Sequence, residues 1–90
     1  KFDSKLELAV YQSLIRRHGF ENVIRQVSIP IPGGRIRPDF MVIDPKFRSA
    51  EGDFYCRFID AKGHATKDWV RKAKLLMKTH GIEIELRKKA

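Results

Sequence analysis

Apolar and polar positions alternate along the chain in two periods, and the change from one to the other divides it into elements. Over residues 3–17, Leu6, Leu8, Val10, Tyr11, Leu14 and Ile15 recur at helical spacing and cover an arc of about 200°. Asp3 or Ser4 can cap this helix, and Gly19 follows its end. Residues 23–31 alternate with period two, setting Val23, Arg25, Val27 and Ile29 against Ile24, Gln26 and Ser28. Pro30, Pro32, Gly33 and Gly34 then supply a turn. A second strand is expected over 36–43, with Pro38 near its start. A polar loop follows at 46–53, and a third strand over 54–62. Thr66 caps a second helix over 67–80, closed by Gly81, and Ile82, Ile84 and Leu86 mark a fourth strand. Trp69, Val70, Ala73, Leu76 and Met77 form the apolar stripe of that helix, with core packing as their expected role.

The pattern predicts a single α/β domain over residues 1–90, with an αβββαβ core. Strands two and three suit an antiparallel hairpin, while strand, crossover helix and strand imply a parallel pair, so the four-stranded sheet is mixed and flanked by two helices. With the hairpin centred near Ser49, opposed residue numbers add to about 98 or 99, which sets Asp39 opposite Ile59 or Asp60.

Three positions interrupt this regularity. On the third strand the face carrying Phe54, Cys56 and Phe58 continues as Asp60 and Lys62, so a carboxylate and an ammonium stand side by side at a strand end. Asp39 is brought to the same end of the hairpin. Glu7 falls in the middle of the first helix's apolar arc, where a lone carboxylate costs several kcal/mol unless it is paired or metal-bound. An internal Arg or Lys partner is the structural alternative for Glu7. Cys56 reads as a small core residue. His18 and His80 read as dipole partners at helix ends, and Asp44, Glu51 and Asp53 as solvating residues of the far loop.

Composition narrows the field. A 42% hydrophobic and 33% charged chain is that of a folded protein. It has no apolar run near the roughly 20 residues of a membrane span and no signal-peptide pattern, so a cytoplasmic, non-membrane protein is expected. The single cysteine excludes an internal disulfide, and no Cys/His spacing suggests zinc. The net charge is +8, and from Lys62 onward nine basic residues stand against three acidic ones, a bias that suits a polyanion such as DNA or RNA.

Pro38-Asp39, twenty intervening residues, Asp60-Ala61-Lys62 and the helical Glu7, in the order helix, three strands, helix, strand, resemble the PD-(D/E)xK nuclease superfamily with its restriction-endonuclease-like fold. The flanks, residues 2–7 and 62–66, are similar to those of phage endonuclease-I-like proteins, which include Holliday junction resolvases of DNA recombination. Asp60 stands where many relatives carry Glu. The resemblance implies a Mg²⁺-dependent deoxyribonuclease, with Mn²⁺ as a substitute, acting on branched DNA as a homodimer in a bacterial or phage-infected cell. It implies Glu7, Asp39, Asp60 and Lys62 as the catalytic set, with Asp39, Asp60, Glu7 and the Ala61 carbonyl holding metal. The chemistry agrees: hard carboxylate oxygens suit Mg²⁺, and Lys62 can orient the attacking water or stabilise transition-state charge. Arg35, Arg37, His64, Lys67 and Arg71 are candidate nucleic-acid contacts. The alternatives are a nicking, repair or recombination nuclease on other DNA, and a noncatalytic basic nucleic-acid-binding module.

Overall fold

The computed structural model describes Phe2 and residues 4–90. The first helix, α1 (Lys5–His18), starts where Ser4 Oγ accepts the Glu7 N–H at 3.0 Å, and Asp3, the other cap candidate, lies outside the described residues. It ends at Gly19, whose φ of 94° turns the chain out of the helix. A short 3₁₀ turn, Phe20–Asn22, leads into β1 (Val23–Arg25). Then come β2 (Ile29–Ile31), β3 (Gly34–Ile36), β4 (Phe40–Val42), β5 (Arg57–Ala61), α2 (Lys67–His80) and β6 (Ile84–Arg87).

The four-stranded mixed sheet is present, in the order β1-β4-β5-β6, with β5 and β6 parallel and the other neighbours antiparallel. The long strand expected at 23–31 is broken in two; the one expected at 36–43 is reduced to β4, with Ile36 ending the separate β3, which begins inside the expected turn at Gly34. The first breaks at Gln26, whose φ of 54° lies in the left-handed region, and the second at Pro38, which has no N–H to give to a ladder. The inner halves, β1 and β4, pair within the main sheet, and the outer halves, β2 and β3, form a separate hairpin. A bond from the Gln26 N–H to the Asp39 carbonyl, 2.8 Å, ties the two breaks together. The expected third strand is shorter than 54–62, with Phe54 making only an isolated bridge to Arg48.

The sheet separates two cores. On one face Val10 and Leu14 of α1 pack with Val23, Phe40, Val42, Ile59 and Ala61. On the other, Leu76 of α2 packs with Phe58, Ile84 and the β2–β3 residues Ile29, Ile31 and Ile36. Even-numbered residues of β5 therefore face α2 and odd-numbered ones face α1, and both faces of this central strand are buried. Cys56 packs against the second core. Phe40 opposes Ile59, so the register is the one that sets Asp39 against Asp60. Among the described residues no helix is long and apolar enough to cross a membrane.

Candidate functional site

Asp39 enters β4 immediately after the Pro38 break, and Asp60 is the penultimate residue of β5. The two are interlocked. The Asp39 N–H donates to Asp60 Oδ1 at 2.9 Å, and the Ala61 N–H donates to Asp39 Oδ2 at 2.8 Å. The second oxygen of Asp60 accepts the indole N–H of Trp69 at 2.5 Å. Asp60 is only 2% exposed, and among the described residues no salt bridge involves it. The carboxyl of Asp39 is raised from 3.8 to about 7, first by burial, then by the approach of the Asp60 carboxyl and the charges of Asp60 and Glu7, with the Ala61 N–H pulling the other way. Near neutrality this site resists carrying its full negative charge.

Glu7 approaches from the α1 side of the sheet. It is 4% exposed, its Oε2 has no hydrogen-bond partner, and its nearest cation is Arg25, with Nη2 at 3.9 Å. Arg25 itself lies over the Phe2 ring, 3.8 Å from its centroid. Glu7 thus has the cationic neighbour anticipated as the structural alternative, yet makes no hydrogen bond to it, while its charge reaches Asp39. Among the described residues no three His, Cys, Asp or Glu side chains are grouped closely enough to form a ready-made metal site.

On the α2 side Asp60 opens into a cleft of about 520 Å³. Lys62 shares its face, as the two-residue strand period requires. Its backbone is fixed by an N–H bond to the Arg87 carbonyl at 3.0 Å, which extends the β5–β6 pairing by one residue. Arg35 and Arg37 wall one side, brought there by the β3 hairpin and the Pro38 break, and Thr66, Trp69 and Lys72 of the α2 end wall the other. The rim cations Arg35, Arg37, Lys62 and Lys72 outnumber the acids Asp60 and Asp68. Arg35 is partly tethered by a bond to Ser28 Oγ at 2.5 Å.

Of the residues singled out in the sequence, Arg35, Arg37, Asp60 and Lys62 line one cleft, and Asp39 and Ala61 join it through hydrogen bonds. His64, Lys67 and Arg71 are exposed and do not line it, and Arg71 is turned toward Asp68 at 2.8 Å. Sequence reasoning passed over Trp69 and Lys72. Trp69 does pack on the second core as expected, but its ring also carries an N–H that needs an acceptor when buried, and this was the available signal.

Two expectations are corrected. Asp44 is not a solvating loop residue: it is 3% exposed and accepts from His18 Nδ1 at 2.7 Å and from the Lys46 N–H at 2.9 Å. The last turn of α1 lies beside the end of β4, where the Ile43 N–H bonds the Asn22 carbonyl, so His18 reaches a specific acid instead of serving only the helix dipole. His80 likewise has a specific partner, the Pro30 carbonyl at 2.7 Å. The chain matches no family model, no curated protein and no solved structure.

Proposed function

We propose that this domain is a metal-dependent DNA endonuclease of the restriction-endonuclease-like type, selective for branched DNA and acting on four-way junctions as a homodimer. The observation that carries the reading is the half-buried Asp39 hydrogen-bonded to the buried Asp60, which lines a cleft with a basic rim, neither acid having a cationic partner among the described residues. A protein that only bound DNA would gain nothing from sinking mutually repelling acids beneath a phosphate-attracting surface.

The residues fit a hard divalent cation. Asp39 is held far above the usual carboxylate range by burial and then by its acidic neighbours, and Glu7 Oε2 is buried without a hydrogen bond, and added positive charge would relieve both. Each Asp60 oxygen accepts one protein hydrogen bond and keeps a further lone pair. Asp39, Asp60, Glu7 and the Ala61 carbonyl would hold Mg²⁺, with Mn²⁺ as a substitute. When bound, the ion supplies an activated water and neutralises phosphate charge. Lys62, on the same wall, would orient the attacking water or stabilise negative charge that grows on the phosphate. Arg37, Arg35 and Lys72 draw in the DNA backbone and fix its path across the acids. Two coordinated cuts across a junction require two such sites, hence the dimer.

The test is cleavage of four-way, nicked and linear DNA in Mg²⁺, in Ca²⁺ and in excess chelator. Junction cleavage in Mg²⁺ or Mn²⁺, binding without hydrolysis in Ca²⁺ and silence in chelator are expected. Undiminished cleavage in chelator removes the metal mechanism, and preferred cleavage of nicked or linear DNA replaces the resolvase with a repair or recombination nuclease. A second reading, a noncatalytic binding module, is favoured by one observation: both Asp60 oxygens already have protein donors. Tight junction binding with no cleavage in any divalent ion would establish it. Sedimentation of a monomer both free and on the junction, with normal resolution, would refute the dimer.

A further inference from the structure

Asp60 is buried at the end of a central strand, and among the described residues its hydrogen-bond donors are the Asp39 N–H and the Trp69 indole N–H, one on each oxygen. The first fixes one end of the carboxylate to the backbone of the neighbouring strand. The second fixes the plane. We infer that Trp69 is a positioning residue, whose indole N–H aims Asp60 for the cation and thereby sets the affinity of the site. This rests on the nuclease reading above.

The choice of side chain follows from what the position needs. A Lys or Arg in its place would orient Asp60 equally well but would cancel the negative charge that a cation requires. The indole N–H is a neutral donor with no acceptor capacity, so it orients the carboxylate and leaves its charge and its remaining lone pairs available. Tryptophan is also stiff, and here its freedom is further removed. Its own backbone N–H is held by Thr66 Oγ1 at 3.1 Å in the first turn of α2, and its ring packs against the core formed by Phe58, Leu76 and Ile84. The ring forms the partition between the cleft and an apolar hollow of about 240 Å³ lined by Val70, Ala73 and Met77. A phenylalanine could satisfy that packing. Only the N–H distinguishes the two, and it ends on Asp60.

Groups that orient metal-binding carboxylates are typically worth about 10–100-fold in metal affinity or activity. Trp69→Phe should therefore bind Mg²⁺, measured calorimetrically with the metal alone, about 10–100-fold more weakly than wild type. Its cleavage rate should recover at high Mg²⁺. If the N–H only satisfies a buried donor, the variant loses stability while its Mg²⁺ affinity stays at the wild-type value, and that result overturns the inference but leaves the nuclease reading intact. Wild type that neither binds Mg²⁺ nor cleaves overturns both. Should Trp69→Phe fail to fold, the wild-type protein still decides, because its single tryptophan gives one indole N–H resonance. That resonance should shift as Mg²⁺ is added, and the shift should disappear in Asp60→Asn. A resonance unmoved at saturating Mg²⁺ overturns the inference.

Discussion

Asp44 leaves β4 at one end and Asp39 enters it at the other, five residues apart, and both are drawn into the protein under opposite terms. Asp44 meets the His18 ring, the Lys46 N–H and, at 3.8 Å, the Lys46 ammonium, and its carboxyl is held below the ordinary value, chiefly by the His18 hydrogen bond. Asp39 meets Asp60 and the charge of Glu7, and its carboxyl is pushed up to about 7, first by burial and then by those acids. The Asp44 end is an acid with its counterpart supplied by the fold. Among the described residues the Asp39 end lacks that counterpart, although Arg35, Arg37, Lys62 and Lys72 stand nearby on the rim, Lys72 paired with Asp68 at 3.5 Å. Rim cations not bonded to Asp39 or Asp60 leave that pair uncompensated. The comparison separates a stabilising pair from the pair proposed above to hold a cation.

The sharpest way to break the comparison is to disable chemistry at one end without disturbing the other. Lys62→Ala should keep the fold, Mg²⁺ binding and DNA binding, yet lose about 10²–10³-fold in single-turnover cleavage, the usual worth of a group that meets transition-state charge. Wild-type turnover would reduce Lys62 to a surface cation.

The reverse experiment removes the partner at the satisfied end. His18→Ala leaves Asp44 buried without its strongest donor, so the melting temperature should fall by several degrees, since each 1 kcal/mol is worth roughly 4–8 °C in a domain of this size. Cleavage per folded molecule at saturating Mg²⁺ should be unchanged.

The two ends should also respond oppositely to pH in the absence of divalent ions. Asp39 is ionised in the unfolded chain above about 4 but resists ionisation in the fold until about 7, so the native state binds more protons in that window and stability falls as pH rises through it. Allowing for solvent screening at this half-buried group, the loss is on the order of 2–3 kcal/mol, and Asp39→Asn should abolish it. Asp44, with its carboxyl lowered, contributes stability above its ordinary value of 3.8 and loses it as pH falls below that. Denaturant unfolding from pH 3 to pH 8 on wild type and Asp39→Asn measures both slopes, and a wild type whose stability rises from pH 4 to pH 7 would contradict the assignment at Asp39.

The smallest effect belongs to Glu7. A 3.9 Å approach to a partly exposed Arg25, with no hydrogen bond, is a weak pair, so Glu7→Gln should change metal-free stability by no more than about 1 kcal/mol in either direction. It should also weaken Mg²⁺ binding. A loss of roughly 3–5 kcal/mol in denaturant unfolding, with normal cleavage by the folded fraction, would make Glu7 a core ion-pair member and nothing more.

Local physics wrote much of this molecule into the sequence. Ser4 and Thr66 cap their helices, Gly19 and Gly81 end them, and α2 spans the expected residues 67–80. The period-two alternation around β5 sets Asp60 and Lys62 on one face, and hairpin arithmetic brings Asp39 to Asp60. Those features depend on neighbours within a few residues or on one turn. The remainder depended on how separate elements meet. Period two over residues 23–31 and 36–43 is equally satisfied by one long strand or two short ones. Only the left-handed Gln26, the missing N–H of Pro38 and the competing surface of α2 decide that the outer halves peel away as a hairpin and carry Arg35 to the cleft. The partners of Asp44 and Trp69 are His18 and Asp60, 26 and 9 residues distant, and no local periodicity records which buried acid a ring nitrogen will reach. Period and hairpin arithmetic determined that two acids and a lysine would converge on one end of a sheet. Packing between α1, the sheet and α2 decided which acid meets a histidine and which meets other acids.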